Sequence, residues 1–245
     1  YKGVNIFNED GTFRKEDDKV QGRSYSSNLT KLVKHLDKLE NLQQGKPASP
    51  VMAHISLTNS CNLTCSFCCF ANRDISDKMP TEKVFQALES FKAIGVTGVE
   101  FTGGGEPSIH PHFKEIVQYA KDLGFSLGIC TNAARFGADR PIKKDIVELF
   151  DWVRMGMYGF YEGYDYDLSV FEGTNCKPSA AYVWDENLET SENPNITGEW
   201  SDVKNKRVLS KKFQTTENFI RMLDWVEENK IPCRIAFNAI KDVKE

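Results

Sequence analysis

The sequence predicts an α/β fold in which parallel strands form a barrel or an open sheet and helices cover the outer side. Two observations predict it. From residue 51 onward, short apolar runs alternate with amphipathic segments of helical length, which is the pattern of successive strand–helix units. Polar and glycine-rich clusters follow these runs at their carboxyl ends, where α/β barrels keep their functional residues.

The first 49 residues are predicted to form a separate N-terminal arm and helix. Residues 1–26 are polar and contain a turn signal at Asn8–Gly11, which predicts a hairpin or an arm. An amphipathic helix follows, with Ser27 as candidate N-cap and Gly45 as its end. Its apolar face has three- and four-residue spacing and consists of Leu29, Leu32, Val33, Leu36, Leu39 and Leu42.

Residues 50–245 are predicted to form the barrel itself. The helical periodicity is clear in two segments: Val84, Leu88 and Phe91 share one face, and Phe219, Met222 and Val226 share another. The predicted strands are 51–58, 98–102, 125–131, 151–157 and 232–238, and the predicted helices are 81–94, 111–123, 141–150 and 215–229.

Two features interrupt the alternation of strands and helices. Residues 158–212 are long and rich in Tyr, Glu, Asp and Asn, which predicts an insertion after the fourth strand that covers the site as a lid. After the fifth predicted strand the sequence reaches Glu245 without another unit. The last unit of the barrel is therefore expected to be missing.

The composition is that of a globular protein, and its charge balance provides no global basic field that would attract nucleic acid or an anionic membrane. The 245 residues are 40% hydrophobic, and the formal net charge is −4 with a pI near 5.7. No apolar run approaches the roughly 20 residues of a membrane span, and the first residues lack the apolar core of a signal peptide. Seven cysteines form an odd count, which favours a reducing cytoplasm over a disulfide framework.

Three of those cysteines carry the strongest functional signal. Cys61, Cys65 and Cys68 have the spacing Cys-x-x-x-Cys-x-x-Cys, with an aromatic residue, Phe67, before the third. Three thiolates on one loop are able to hold three irons of a four-iron cluster and leave the fourth iron open. The alternative is structural zinc, which requires a fourth ligand such as Cys69 or His54. Adjacent cysteines rarely fit one tetrahedron, so Cys69 is interpreted as a small buried residue.

The other candidates follow the later strands. The second strand ends in Thr102-Gly-Gly-Gly-Glu-Pro107, and glycines there let the backbone approach a ligand closely. Further polar residues lie at or after the ends of the third, fourth and fifth strands, namely Thr131, Asn132, Arg154 and Asn238. Each also has a structural explanation as a turn or strand-end residue.

The cysteine spacing with Phe67, followed by Gly104-Gly105-Glu106-Pro107 after the second strand, resembles the radical S-adenosylmethionine (SAM) family. The resemblance covers about residues 50–170 and 213–240. It implies a partial (β/α)6 TIM-like barrel that binds a [4Fe–4S] cluster and SAM. It also implies reductive cleavage of SAM to a 5′-deoxyadenosyl radical that abstracts hydrogen from a substrate. A flavodoxin- or ferredoxin-type protein is the implied electron donor.

The resemblance also implies roles for single residues. Cys61, Cys65 and Cys68 hold the cluster. Gly104 and Gly105 approach SAM, and Glu106 accepts a hydrogen bond from the SAM amino group. Thr131 and Asn132 lie near the ribose, Asn238 faces the adenosyl region, and Phe67 either packs in the core or walls the adenine. Arg154 pairs with Glu106 or binds the SAM carboxylate. Many relatives carry a polar residue at the position of Gly156.

The substrate is predicted only by class. The order of motifs resembles the subgroup of peptide maturases and of sugar or alcohol dehydrogenases and epimerases, which implies a peptide or small-metabolite substrate. Three alternatives stay open: a nucleoside- or tRNA-modifying enzyme, a zinc-stabilised binding module, and a cluster-bearing scaffold without activity. Cys130 and Cys233 are interpreted as core residues of strands, and Cys176 as a surface thiol.

Overall fold

The computed structural model describes residues 35–65, 68–70, 73–136, 142–158, 160, 166–184, 208–209 and 215–237. The chain divides into two compact units, residues 1–48 and residues 49–245. In the first unit, the described helix is α1 (Leu36–Gln43), and no residue of it is buried. The rest of the predicted N-terminal arm and helix, residues 1–34, lies outside the described residues.

The second unit is built on a six-stranded sheet. Its strands are β1 (Met52–Ile55), β3 (Gly98–Phe101), β4 (Ser126–Thr131), β5 (Trp152–Gly156), β6 (Lys177–Trp184) and β8 (Cys233–Phe237). Two further strands, β2 (Leu63–Thr64) and β7 (Val208–Leu209), pair with each other. The order of the main sheet is β1-β3-β4-β5-β6-β8, and every neighbouring pair is parallel.

The predicted parallel α/β fold is therefore confirmed. The helices α2 (Thr81–Ala93), α3 (Phe113–Asp122), α4 (Lys144–Val147) and α5 (Thr216–Glu228) alternate with the strands. Helix α2 buries Val84 and Leu88, which are one helical turn apart, and the Thr215 hydroxyl caps α5 by accepting a hydrogen bond from the Asn218 N–H at 3.2 Å. Helix α4 is shorter than the predicted segment 141–150.

One strand was missed by the sequence prediction. Strand β6 lies within residues 158–212, which were predicted to be a single insertion, and it pairs with both β5 and β8. The main sheet thus has six strands where the sequence predicted five. The physical reason is composition: Pro178, Ser179 and the two alanines that follow have low β-propensity, and only Tyr182–Trp184 read as a strand.

The core lies between the sheet and the helices. Phe101 of β3 contacts Phe113 of α3 and Phe150 edge-on, with ring centroids 6.4 and 6.3 Å apart. Val153 and Met155 of β5 are completely buried on the same side of the sheet. Since side chains alternate along a strand, the residues between them face the opposite, inner side. Among the described residues, no helix is long and apolar enough to cross a membrane.

Candidate functional site

The cysteine loop and the glycine turn are joined where β1 and β3 end. The Gly105 N–H donates to the Thr58 carbonyl oxygen at 2.6 Å, and the Glu106 N–H donates to the Ser60 carbonyl oxygen at 2.8 Å. The main chain immediately before Cys61 is therefore fixed beside Glu106. The two motifs are adjacent because β1 and β3 pair in parallel, so that their carboxyl ends lie side by side.

Glycine is required in this turn because the two backbones are so close. A Cβ atom on Gly105 would lie 1.7 Å from the Ser60 carbonyl oxygen, and one on Gly104 would lie 2.3 Å from the Ser56 hydroxyl. Gly104 also has a φ of +58°, which side-chain-bearing residues rarely adopt. In the structure, the space beside these glycines is filled by the segment that leads into the cysteine motif.

Glu106 is a buried carboxylate that links the ends of β3 and β4. It is 3% exposed. Its Oε1 accepts hydrogen bonds from the Thr131 hydroxyl at 2.7 Å and the Ser108 N–H at 3.1 Å, and its Oε2 accepts one from the Asn132 N–H at 2.7 Å. A carboxylate has about four lone-pair sites, and donors among the described residues occupy three of them, two on Oε1 and one on Oε2.

Asn132 connects Glu106 with the cysteine loop. Its Oδ1 accepts from the Ala134 N–H at 3.1 Å, which orients the amide. Its Nδ2 then donates to Asn62 Oδ1 at 2.7 Å and approaches Cys61 Sγ at 3.6 Å. Thr131 and Asn132 thus lie in one network with Glu106 and the first cysteine.

Each of the three motif cysteines is half-buried. The Leu63 N–H approaches Cys61 Sγ at 3.5 Å, and the Cys68 N–H donates to the Cys65 carbonyl oxygen at 3.1 Å. Burial raises the pKa of the Cys61 thiol above its ordinary value; the Leu63 N–H and the Arg73 guanidinium lower it, and the Glu106 carboxylate raises it further.

Arg73 is a site residue that the sequence interpretation missed. Its Nε donates to the Asn59 carbonyl oxygen at 2.5 Å, one terminal nitrogen donates to the Phe70 carbonyl oxygen at 2.5 Å, and the same nitrogen lies 3.5 Å from Cys68 Sγ. Its position five residues after the third cysteine is visible in the sequence, but this spacing does not reveal the partners of its side chain.

A row of polar side chains crosses the inner face of the sheet below this loop. Arg154 contacts Cys130 Sγ at 3.5 Å and lies over the Trp152 ring at 5.3 Å. The Cys130 thiol donates to Glu100 Oε1 at 3.1 Å, and His54 Nε2 lies 3.7 Å from Glu100 Oε2. Burial, together with the Glu100 charge, raises the pKa of Cys130 to about 12.

Tyr158 lies on the same side and was also missed. A Cβ atom on Gly156 would lie 2.4 Å from its ring, so the missing side chain makes room for the phenol. Burial raises the pKa of the Tyr158 phenol, and electrostatic repulsion from Cys65 and Cys130 raises this pKa further. The Tyr158 ring therefore packs against Gly156.

The interpretations of three cysteines outside the motif are corrected by their burial. Cys176 is 6% exposed in the core, not a surface thiol, because it immediately precedes the buried strand β6. Cys69 is exposed, not buried, and Cys130 faces the inner polar row rather than the core. Phe67 and Asn238, which were predicted to contact SAM, lie outside the described residues.

An open cavity of about 420 Å³ adjoins the glycine turn. It is lined by His54 and Ser56 of the first strand and its extension, by the cysteine-loop residues Asn59 and Phe70, and by Thr102–Gly104. The lining thus combines an aromatic ring with a few polar side chains and glycine backbone.

The residues present fit an iron–sulfur cluster. Within the described part of the chain, no three His, Cys, Asp or Glu side chains are close enough to hold a single metal ion. A four-iron cluster takes one iron per cysteine and so uses more widely separated sulfurs. The three half-buried thiols of residues 61–68 supply that donor set.

Residues 55–162 match the sequence profile of the Radical SAM superfamily. These residues form a radical SAM domain. The cofactors of such a domain are a [4Fe–4S] cluster and SAM, as the sequence resemblance implied.

The curated relatives of the radical SAM domain are named for different activities. The S-adenosylmethionine-dependent nucleotide dehydratase of Selenomonas ruminantium is 30% identical over 40% of this chain and 35% of its own length. The sporulation killing factor maturation protein SkfB of Bacillus subtilis is 31% identical over 34% of this chain and 20% of its own. The Fe-coproporphyrin III synthase of Methanosarcina barkeri is 27% identical over 87% of this chain and 48% of its own.

The fold also matches a solved structure. SuiB of Streptococcus suis, determined with S-adenosylmethionine bound, superimposes with a TM-score of 0.54 at 20% identity. The match covers 89% of this chain and 48% of SuiB, and it concerns the fold. The chain spans less than half the length of each of these proteins.

Proposed function

We propose that this chain is the catalytic core of a radical SAM enzyme that acts on a peptide or a small metabolite. Cys61, Cys65 and Cys68 would hold the [4Fe–4S] cluster, and SAM would bind beside it at the carboxyl ends of β3, β4 and β5. Together the cluster and SAM supply the reductive cleavage that yields a 5′-deoxyadenosyl radical. The observation that carries the proposal is the pair of hydrogen bonds that fixes Glu106 beside the cysteine loop.

Glu106 is suited to bind the amino group of SAM. Three donors hold the carboxylate in one orientation, and among the residues that the structure describes they leave one lone-pair site on Oε2. A cationic amino group is the donor that a buried carboxylate binds best. The hydrogen bonds from Thr131 and Asn132 therefore position this carboxylate, whether or not these residues also reach the ribose.

Arg154 and Tyr158 are proposed to line the reaction chamber. They lie on the inner side of the sheet, where Gly156 leaves room for the phenol and Trp152 supports the guanidinium. A guanidinium in this position is suited to a carboxylate, either of SAM or of a substrate. Both side chains also displace water from the region in which a radical would form.

Part of the segment between β6 and α5 is proposed to cover the site. Strand β7, which lies in this segment, pairs with β2 between Cys61 and Cys65. This contact supports the lid hypothesis for the residues that follow β6. The relatives support both substrate classes, since one is named for the maturation of a sporulation killing factor and others for a nucleotide and a porphyrin.

The decisive experiment compares two neighbouring cysteines. Wild type, Cys65→Ala and Cys69→Ala are reconstituted anaerobically with iron and sulfide, reduced with dithionite and given SAM. Wild type and Cys69→Ala are expected to bind about four irons and to form 5′-deoxyadenosine. Cys65→Ala is expected to lose both properties, because it removes one of the three thiolates, whereas Cys69 is exposed.

Each other outcome identifies a rival. A colourless wild-type protein that binds one zinc ion contradicts the proposal and supports the binding module. A wild-type protein that holds the cluster but forms no 5′-deoxyadenosine supports the scaffold without activity. Substrate class is tested separately: deuterium transfer into 5′-deoxyadenosine from a labelled nucleotide, and not from labelled peptides, would favour the nucleoside alternative.

A further inference from the structure

Arg73 holds the two ends of the segment that contains the cysteine motif. Its Nε bonds the carbonyl of Asn59, which precedes the first cysteine, and a terminal nitrogen bonds the carbonyl of Phe70, which follows the third. The Arg73 N–H adds a turn bond to the same Phe70 carbonyl at 3.2 Å. Because the guanidinium is planar and rigid, these bonds fix its position relative to the cysteines.

The positive charge of Arg73 has no carboxylate partner among the residues that the structure describes. The nearby carboxylate of Asp74 accepts instead from the main chain and hydroxyl of Ser76, at 2.9 and 2.7 Å. The groups that face the guanidinium are the two carbonyl oxygens and Cys68 Sγ at 3.5 Å. When Cys68 ligates the cluster as a thiolate, its sulfur would be the anionic group that faces this cation.

We infer that Arg73 raises the reduction potential of the cluster held by Cys61, Cys65 and Cys68, and that it does so through its charge beside the Cys68 sulfur. This inference rests on the proposed function. A [4Fe–4S] cluster on three thiolates is anionic, and its one-electron reduction adds a further negative charge. A fixed cation stabilises the reduced form more than the oxidised form, and net charge and hydrogen bonds to sulfur are known to set these potentials.

The test is a redox titration of the reconstituted protein with dithionite, monitored by the electron paramagnetic resonance signal of the reduced cluster. For Arg73→Met, the ratio of reduced to oxidised cluster at a given potential is expected to fall about tenfold, equivalent to about 59 mV for one electron. Arg73→Lys keeps the charge and is expected to shift the ratio much less. Lys78→Met removes an exposed charge from the same loop and is the matched control, expected to titrate like wild type.

The outcomes separate this inference from the proposed function. If wild type binds no cluster, both fail. If wild type and Arg73→Met are fully loaded and titrate together, the inference alone is wrong. If Arg73→Met does not load, Arg73→Gln replaces it as the neutral variant. If neither neutral variant binds the cluster but Arg73→Lys does, the result supports a requirement for the positive charge. If Arg73→Lys also fails to bind the cluster, the arginine acts only by holding the two ends of the loop together, and the inference is wrong.

Discussion

At the scale of single residues, the site depends on the missing side chains of the glycine turn. Alanine at position 105 would place its Cβ 1.7 Å from a main-chain oxygen, which cannot move without displacing the cysteine loop. Alanine at position 103 would meet nothing closer than 3.8 Å, although its φ of +77° is unfavourable. The two positions therefore separate steric contact from backbone strain.

Gly105→Ala is expected to destabilise the fold by more than Gly103→Ala and to lose the cluster. The strain at position 103 costs roughly 1–2 kcal/mol. At position 105 the backbone is not strained, but the clash is with a main-chain atom, so we expect a cost at or above the upper end of the roughly 1–3 kcal/mol of overpacking. Urea unfolding of both variants, with iron content after reconstitution, measures the difference. Equal stability and equal iron content in the two variants would contradict the steric explanation.

Glu106→Gln is expected to weaken both the fold and SAM binding. The oxygen of the glutamine amide accepts fewer hydrogen bonds than the two carboxylate oxygens. The NH2 group of the amide would face at least one N–H or O–H donor that now bonds to the carboxylate. One buried donor left unpaired costs roughly 1–3 kcal/mol. Urea unfolding measures the stability, and equilibrium dialysis with labelled SAM measures the binding. Unchanged affinity for SAM would show that Glu106 is purely structural.

Cysteine reactivity gives a test of burial that needs no cofactor. Burial raises the pKa of Cys176 to about 12, so its thiolate is scarce at pH 8, and the thiol is 6% exposed. Cys69 is exposed. Iodoacetamide at pH 8 is expected to alkylate Cys69 rapidly and Cys176 only after unfolding, because the thiolate is the nucleophile. Peptide mass spectrometry over time measures both rates, and equal rates in the folded protein would contradict the placement.

At the scale of elements, the capping of α5 offers a clean prediction. The Thr215 hydroxyl accepts from the Asn218 N–H. Thr215→Ala is expected to lower the free energy of unfolding by about 1 kcal/mol, whereas Thr215→Ser keeps the acceptor and most of the stability. Denaturant unfolding of the two variants measures this, and an equal loss in both would show that the methyl group, not the cap, is responsible.

The elements also show what sequence patterns are able to predict. The cysteine loop, the glycine turn and helices α2 and α5 were predicted because their signals are local spacings. Strand β6 was not, since Pro178 and the small residues after it resemble a loop and become a strand only through pairing with β5 and β8. Arg73 and Tyr158 were missed because their partners are fixed by loop conformation and sheet register, which no spacing records.

At the scale of the whole molecule, a test of the lid hypothesis has to leave strands β6 and β7 intact. Replacing residues 187–205 with a short Gly/Ser linker leaves both strands in the chain. The variant is expected to keep its cluster and to cleave SAM without modifying substrate, because the covering segment is gone. Formation of 5′-deoxyadenosine is compared with product formation by mass spectrometry. Full turnover of the shortened protein would rule out the lid.

The order of strands in the main sheet follows their order in the chain, from β1 at one edge to β8 at the other. The cysteine loop, the glycine turn and the Thr131–Asn132 network all come from its first three strands and the loops after them. Every described residue of this network therefore emerges from the ribosome before β5, β6 or α5 emerges, because these elements lie later in the chain. The residues that would hold the cluster and SAM at these three strands are thus complete in the emerging chain before the strands and helix on the far side of the sheet, whereas β7, the partner of β2 in the cysteine loop, follows much later.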